Sequence, residues 1–402
     1  MKILVVDDEP FVLKLLVRQL ENLGYTEVIP YDRAQDALAL LGIEAESVGL
    51  IFCDLQMPEM DGVEFVRQLV GIGYAGGLVL VSGEDLRILQ AAENLARAHK
   101  LDVLGALQKP VSSEQLQTVL ESNLFRSATS PARAPQKKYD PEAVRRAIAE
   151  GELVNDYQPK VGFASGVVAG VETLVRWKHP RDGLVFPDQF VPVAEEHGLM
   201  DDLTRVVLGA ALRQARLWQY MGITLPVAVN ISVNNLMSVE FPDFITREMR
   251  DAGVPASLLV LEVTESRLMK DPVVALDILT RLRLKRIGLS IDDFGTGHSS
   301  LSQLRDLPFD ELKVDRGFVH GAFRDASRAV IVQASLGMAR QLRMKSVGEG
   351  VEDREDWDYL RAAGCDLAQG YFVAKPMPAE VLPTWLSAWR ARRQELFASS
   401  SP

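Results

Sequence analysis

Two adjacent aspartates, Asp292 and Asp293, follow a short apolar run and lead directly into a glycine-rich turn. Side-by-side carboxylates repel each other, so both stay ionised only where a cation lies beside them; otherwise one takes up a proton. The preceding run, Leu289-Ser290-Ile291, is typical of a buried strand. An exposed helix N-terminus would explain an isolated Asp-Asp pair. After a buried strand of an α/β protein, however, the pair lies where ligands bind.

The same arrangement, a polar residue directly after an apolar strand, recurs along the second half of the chain. Seven predicted strands end in this way, at Glu172, Asn230, Glu262, the Asp292-Asp293 pair, Lys313, Glu349 and Gln369. These strands alternate with helical patterns over about 250 residues, the usual size of a closed (β/α)8 TIM-like barrel. Closure of such a barrel would bring the seven strand ends to one mouth.

Carboxylates and an amide oxygen are hard donors, which suit Mg²⁺ or Mn²⁺ better than zinc. None of the five histidines occupies one of these strand ends. The acids would balance two cations, and paired hard cations suit in-line displacement at phosphorus by an activated water. Lys313 would stabilise negative charge or orient the water. Arg176, four residues after Glu172, would hold a phosphate.

The first part of the chain shows a second set of polar strand ends. They are Asp7 with Asp8, Asp54, Ser82, and Lys109 before Pro110. Amphipathic helical patterns between the strands predict a doubly wound, flavodoxin-like α/β domain with a parallel sheet. One edge of that sheet would then hold a divalent cation, a carboxylate that accepts a phosphoryl group, and a lysine that neutralises the added charge.

These N-terminal residues resemble the receiver domain of response regulators over residues 1–121. The resemblance implies that Asp7, Asp8 and Asp54 bind one Mg²⁺ and that Asp54 is the phosphoacceptor of a sensor histidine kinase. It also implies that Ser82 and Lys109 act as the switch and that a cis peptide precedes Pro110. The family usually has an aromatic residue three positions before the lysine, where this chain has Ala106. A signal carried by rotation of that ring is therefore not expected.

Residues from 141 to about 390 resemble the EAL domain of cyclic-di-GMP phosphodiesterases. The resemblance rests on five segments: Glu172-Thr173-Leu174-Val175-Arg176, Asp292 to Gly297, Lys313 to Arg316, Glu349 to Glu352, and Gln369-Gly370-Tyr371. Two positions depart from the family pattern. Thr173 replaces the alanine of the motif, and His298 replaces an aromatic residue after the glycine-rich turn.

The resemblance implies a site with two Mg²⁺ or Mn²⁺ ions. The implied metal ligands are Glu172, Asn230, Glu262, Asp292, Asp293 and Glu349. The implied catalytic residues around the attacking water are Lys313 and Glu349. Gln158, Arg176 and Gln369 would contact the substrate, and Glu265 would stabilise the loop after Asp293.

The two resemblances together predict a response regulator that hydrolyses cyclic-di-GMP to linear 5'-pGpG, with activity modulated by phosphorylation of Asp54. The layout further implies a homodimer or a higher homo-oligomer. A catalytically silent EAL domain that serves as a cyclic-di-GMP receptor is the main alternative, although such members commonly lack metal ligands that are present here. An unrelated metal-dependent barrel hydrolase would explain the strand ends but not the receiver domain.

Composition narrows the class of protein. The chain has 402 residues, of which 47% are hydrophobic and 25% charged, which is enough for two or three domains. The net charge of −11 argues against binding of a nucleic-acid polymer through a broad basic face. No apolar run is long enough for a membrane span or a secretory signal, so a cytoplasmic location without membrane attachment is expected. Cys53 and Cys365 are predicted to be buried thiols.

Residues 122–140 lose the apolar periodicity and gather serine, alanine, proline and basic residues, which predicts a linker. Asp140 and Pro141 then suit the N-cap and first turn of a helix. The predicted organisation is a receiver domain over 1–121, a linker over 122–140, a barrel over 141–395 and a flexible tail over 396–402.

Overall fold

The computed structural model describes residues 2–120, 139–265, 272–295 and 301–398. The chain divides into two compact units, Met1–Pro135 and Gln136–Pro402. Most of the expected linker lies outside the described residues. Its last part does not: Tyr139 is buried, with its ring centroid 4.6 Å from that of Trp177. The end of the expected linker is thus part of the core of the second unit.

The first unit alternates strands with helices. Its elements are β1 (Lys2–Val6), α1 (Pro10–Asn22), β2 (Val28–Tyr31), α2 (Ala34–Glu44), β3 (Val48–Asp54), α3 (Gly62–Gly71), β4 (Gly77–Ser82), α4 (Leu86–Ala98), β5 (Asp102–Gln108) and α5 (residues 113–120). The five strands are parallel in the order β2-β1-β3-β4-β5. This order confirms the flavodoxin-like prediction. It also places the carboxyl ends of β1, β3, β4 and β5 along one edge.

The second unit begins with α6 (Pro141–Glu150), β6 (Leu153–Gly162), β7 (Val168–His179), β8 (Gly183–Val185), α7 (Pro187–Glu196), α8 (Met200–Tyr220), β9 (Val227–Asn230), α9 (Val233–Met237), α10 (Phe241–Ala252) and β10 (Leu259–Thr264). It continues with α11 (Pro272–Leu284), β11 (Gly288–Phe294), α12 (Leu301–Asp306), β12 (Glu311–Val314), α13 (Arg316–Val319), α14 (Ala326–Gln341), β13 (Lys345–Gly348), α15 (Arg354–Ala363), β14 (Leu367–Ala368), β15 (Met377–Pro378) and α16 (Leu382–Ala398).

Eight of these strands close into the predicted barrel, in the order β6-β7-β9-β10-β11-β12-β13-β14 and back to β6. Strand β6 is antiparallel to both of its neighbours, whereas the other pairings around the barrel are parallel. The reason is the connection from β6 to β7, which is too short for a crossover helix and therefore forms a hairpin.

Some of the predicted strand ends lie within strands: β10 continues two residues past Glu262, and the larger departure is at Glu172. Strand β7 does not end at Glu172 but continues to His179 and pairs with β8. Glu172 therefore lies within a strand, directly opposite Gln158 of β6. Strand alternation still turns Glu172 into the barrel interior, so the prediction that its side chain joins the other acids is unaffected.

The second unit begins and ends with helices, α6 and α16. Asp140 caps α6 by accepting a hydrogen bond from the backbone N–H of Glu142, 3.0 Å away, and Pro141 occupies the first turn, as predicted. At the other end α16 runs to Ala398, and Leu396 is buried, so the tail expected from residue 396 begins inside a helix. The other domain boundaries stay predictions.

Two further expectations concern the described residues. Cys53 and Cys365 are both buried free thiols, as predicted. No described helix combines the length and the apolar character that a bilayer crossing requires.

Candidate functional site

The mouth of the barrel brings together five carboxylates in two overlapping sets. Oxygens of Glu172, Glu262 and Asp292 lie within 4.8 Å of one another, and so do oxygens of Asp292, Asp293 and Glu349. Because Asp292 belongs to both sets, the two groups are neighbours. These are five of the six metal ligands that the sequence resemblance implies.

Lys313 lies at the centre of these acids. It comes from β12, is fully buried, and its Nζ is 2.7 Å from Glu349, 3.1 Å from Glu262, 3.1 Å from Asp292 and 3.5 Å from Glu172. Burial opposes a charge on Lys313, but the surrounding carboxylates raise its pKa well above the usual value. The surrounding carboxylates thus favour the ammonium form of Lys313, which can donate hydrogen bonds and stabilise negative charge.

The crowded acids do not share one ionisation behaviour. Burial, opposed by Lys313 and assisted by repulsion from the other acids, raises the pKa of Glu172 to about 7 and raises the pKa of Glu349. Burial also disfavours ionisation of Glu262, but the ammonium groups of Lys313 and Lys160 hold its pKa below the usual value. Carboxylates that are hard to ionise together indicate a site that is completed by cations.

Three amide side chains border the acids. The amide nitrogen of Asn230, which is exposed, donates to Oε1 of Glu172 at 2.9 Å. Gln369 donates to Oε2 of Glu172 and to Oε1 of Gln158. Gln158 in turn donates to the carbonyl of Ala374 at 3.0 Å. The structure thus brings the three predicted amides to Glu172, as a connected hydrogen-bonded group.

Arg176 lies on β7 beyond Glu172 and is buried. Its Nε is 3.1 Å from Oδ2 of Asp156, and its guanidinium carbon is 5.2 Å from the centre of the Phe186 ring. Asp156 and Phe186 hold the guanidinium in place, which would keep it ready for a phosphate.

Glu265 stabilises the backbone that follows the aspartate pair. Its Oε2 accepts a hydrogen bond from the N–H of Gly295 at 2.8 Å. Asp293 has a φ of 55°, a left-handed conformation that is strained for a residue with a side chain. The site therefore includes local strain at a predicted metal ligand, beside the contact made by Glu265. His298 lies outside the described residues.

Thr173, the residue at variance with the family motif, does not face the acids. It lines a cavity of about 240 Å³ together with Leu174, Asn230 and residues of α7 and α8. This agrees with the expectation that the residue after Glu172 points to the opposite face of the strand.

The edge of the first unit forms a second acidic site. Oxygens of Asp7, Asp8 and Asp54 lie within 4.8 Å of one another. Lys109 Nζ lies 2.8 Å from Oδ2 of Asp54 and 2.9 Å from Oδ2 of Asp7. Burial, opposed by Lys109 and assisted by Asp54, raises the pKa of Asp7. The predicted residues meet at one edge of the parallel sheet.

The remaining receiver residues lie nearby in the fold. Ser82, at the end of β4, is buried and accepts a hydrogen bond from the N–H of Glu84 at 3.1 Å. The peptide between Lys109 and Pro110 is cis, as predicted. Ala106 is partly buried against the core of this unit and presents no ring.

Both sites suit hard divalent cations. Their charged ligand atoms are oxygens, and both sites contain buried oxygens, among them Oδ1 of Asp8 and Oε1 of Gln369, that have no hydrogen-bond partner among the described residues. Buried oxygens without a donor are costly, so an ion or a bound water is the natural partner of each.

Sequence reasoning missed two buried residues below the barrel acids. Lys160 Nζ lies 3.3 Å from Oε1 of Glu262 and also bonds Glu311. Neither residue directly follows an apolar run, so the strand-end criterion did not select them. Their position two residues from Gln158 and Lys313, respectively, on the same face of their strands, is the signal that would have found them.

Comparison with known families gives the same division of the chain. A family model described as EAL domain matches residues 141–376, and one described as response regulator receiver domain matches residues 3–121. This chain belongs to the EAL domain family.

Its EAL domain follows a receiver domain, and a curated relative shares both parts. The cyclic di-GMP phosphodiesterase RocR of Pseudomonas aeruginosa is 32% identical over 381 residues, which cover 94% of this chain and 97% of RocR. The bifunctional diguanylate cyclase/cyclic di-GMP phosphodiesterase MucR of the same organism is 42% identical over 240 residues, 60% of this chain but only 35% of MucR. The match to MucR therefore covers only part of each chain.

A solved structure described as the PaMucR phosphodiesterase in complex with c-di-GMP has the same EAL fold. It superposes with a TM-score of 0.58 at 42% identity, covering 60% of this chain and 98% of that chain. The family and the barrel are thus established together.

Proposed function

We propose that this chain is a response regulator whose EAL domain hydrolyses cyclic-di-GMP to linear 5'-pGpG with two divalent cations, Mg²⁺ or Mn²⁺. The phosphodiesterases named among its relatives and the complete set of acids support this activity. The observation that carries the proposal is the pair of carboxylate sets that share Asp292 and surround Lys313.

Charge supports two cations rather than one. The two sets contain five carboxylates, and Lys313 supplies one positive charge, so full ionisation leaves four negative charges inside the barrel. Two divalent cations carry the matching charge. Bound there, such cations would activate a water and stabilise the departing oxygen.

The protein groups have complementary tasks. Glu172, Asn230, Glu262, Asp292, Asp293 and Glu349 would hold the cations. The Lys313 ammonium, 2.7 Å from Glu349, would donate to the attacking water or to developing charge on phosphate. Glu349, in contact with Lys313, would help to orient that water.

Substrate contacts extend from the same mouth. Gln158, Gln369 and the held guanidinium of Arg176 would position the phosphates.

The receiver would control this activity through Asp54. Asp54 lies beside Asp7, Asp8 and Lys109, which would hold one Mg²⁺ and neutralise a phosphoryl group delivered by a sensor histidine kinase. Ser82 would respond as the switch hydroxyl. A homodimer or larger assembly and a cytoplasmic location stay predictions.

Incubation of the purified full-length chain with Mg²⁺ and cyclic-di-GMP, followed by chromatography of the nucleotides, tests the proposal. Accumulation of linear pGpG is the expected result, and chelation of the metal should stop it. Tight binding of cyclic-di-GMP without any product would instead support a receptor, the catalytically silent alternative.

A further inference from the structure

Lys160 occupies an unusual place for a lysine, inside the barrel on β6. Its side chain is only 4% exposed, and its ammonium group contacts two carboxylates, those of Glu262 and Glu311. A buried ammonium is unfavourable unless it is paired, so both contacts matter for the folded state. One partner belongs to the candidate cation site, while the other does not.

Glu262 depends on two lysines for its orientation. Its side chain is fully buried; Oε1 lies 3.3 Å from Lys160 Nζ and Oε2 lies 3.1 Å from Lys313 Nζ. Each oxygen is thus held by a different ammonium group, which determines the direction of the carboxylate. Groups that contact a metal ligand from behind orient it and contribute to metal affinity.

We propose that Lys160 is a positioning residue for Glu262, which it holds in the direction needed to bind a cation. This proposal rests on the metal-dependent function proposed above. It assigns no direct contact between Lys160 and substrate.

The surroundings of the two carboxylates differ, and the difference makes the role of Lys160 testable. Glu311 accepts a further hydrogen bond from Ser290 Oγ at 3.2 Å and borders a cavity of about 380 Å³ at the amino ends of the parallel strands. Glu311 can therefore gain water when its ion pair is lost. Glu262 has no such exposure, so loss of Lys160 falls mainly on the metal ligand.

A positioning role and a pure charge effect predict opposite results. Lys160→Met removes a positive charge, which by electrostatics alone would favour cation binding. Glu311→Gln removes a negative charge beside Lys160, and by electrostatics alone it would disfavour cation binding. The double variant Lys160→Met/Glu311→Gln keeps the net charge and removes only the bond from Lys160 to Glu262 together with the ion pair.

The measurement is calorimetric titration of each full-length variant with Mn²⁺ alone, without nucleotide. The receiver site serves as an internal reference because no substitution lies in residues 1–135. We expect Lys160→Met and the double variant both to bind Mn²⁺ in the barrel about 10–100-fold more weakly than the wild type, the usual effect of losing such a supporting contact. Glu311→Gln should change the affinity much less.

Hydrolysis provides a second readout. In Lys160→Met and the double variant, the Mg²⁺ concentration that gives half-maximal turnover should rise by the same factor, and turnover should recover at high Mg²⁺. Lys345→Met is the matched control, because Lys345 borders the same cavity but is exposed. It should bind Mn²⁺ like the wild type.

Other combinations of Mn²⁺-binding results would contradict the proposal. Tighter binding by Lys160→Met with wild-type binding by the double variant would show a charge effect alone. Unchanged binding in every folded variant would show that Lys160 is only a structural ion-pair partner. If Lys160→Met does not fold, the Mn²⁺ affinity of the charge-balanced double variant tests the proposal instead. A wild-type chain that binds no Mn²⁺ in the barrel would instead refute the proposed metal-dependent function itself.

Discussion

The chain contains two acidic sites with the same ingredients, an adjacent aspartate pair at the carboxyl end of one parallel strand and a lysine at the carboxyl end of another. In the receiver, Asp7 and Asp8 form one carboxylate set with Asp54, and the side chain of Lys109 is 11% exposed. In the barrel, Asp292 and its neighbours form two sets around a Lys313 that has no exposed surface. The receiver site thus has one carboxylate set and a lysine that reaches solvent, whereas the barrel site has two carboxylate sets and a fully buried lysine.

The difference between the two sites follows from the architecture of the sheets, which is open in the receiver and closed in the barrel. An open parallel sheet presents its strand ends along one edge, so few strands reach any one point. A closed barrel directs strand ends from all sides to a common axis, and more carboxylates can converge there. One cation beside a carboxylate that itself accepts a phosphoryl group suits the first geometry. Two cations and an attacking water suit the second.

The largest expected effect concerns the acid that both barrel sets share. Asp292→Ala should lower cyclic-di-GMP hydrolysis by more than about a hundredfold, since a direct metal ligand should matter more than a residue that only supports one. Turnover of purified protein at saturating Mg²⁺ measures the loss. Glu172→Ala and Asn230→Ala should act in the same direction.

A control separates loss of the site from loss of the fold. Asp292→Ala should still incorporate phosphate in the receiver and should keep the circular dichroism of the wild type. Near-normal turnover in all three variants would contradict the two-cation site and remove the contrast between barrel and receiver.

The second prediction concerns the receiver and its nucleophile. With Mg²⁺ and a small-molecule phosphodonor, the wild type should gain a phosphoryl group, and Asp54→Asn should not, because an amide lacks the nucleophilic oxygen. Intact-mass spectrometry reports the result. Equal incorporation by Asp54→Asn would show that another residue is the acceptor.

The smallest expected effect is the coupling of the two sites. Phosphorylation should change hydrolysis by a factor of several to about a hundred, which corresponds to a coupling free energy of about 1–3 kcal/mol. The route differs from ring rotation, because Ala106 has no ring. The barrel element that we expect to respond begins at Asp293, whose left-handed backbone is strained, and includes Gly295, whose N–H is bonded to Glu265.

Glu265→Ala sharpens this prediction. Loss of the bond to Gly295 should reduce both basal turnover and its response to the phosphodonor. The measurement is the turnover of cyclic-di-GMP by the wild type and by Glu265→Ala, each with and without phosphodonor. A variant that loses turnover but responds by the full wild-type factor would show that this loop serves catalysis without carrying the signal.

The sequence by itself predicted most residues of the two acidic sites and the strands that carry them. Polar residues directly after apolar runs identified Asp54, Glu262 and Asp292, because strand periodicity and burial are local properties that the sequence records. The alternation of strands and helices predicted both α/β folds for the same reason.

Only the tertiary structure decided which barrel carboxylates lie together in each set and which side chains hold them in place. That Asp292 belongs to two carboxylate sets depends on the register of neighbouring strands, which local sequence does not encode. The antiparallel placement of β6 brings Lys160 beneath Glu262, 102 positions away in the sequence. Contacts of that kind arise from barrel closure, so no local pattern predicts them.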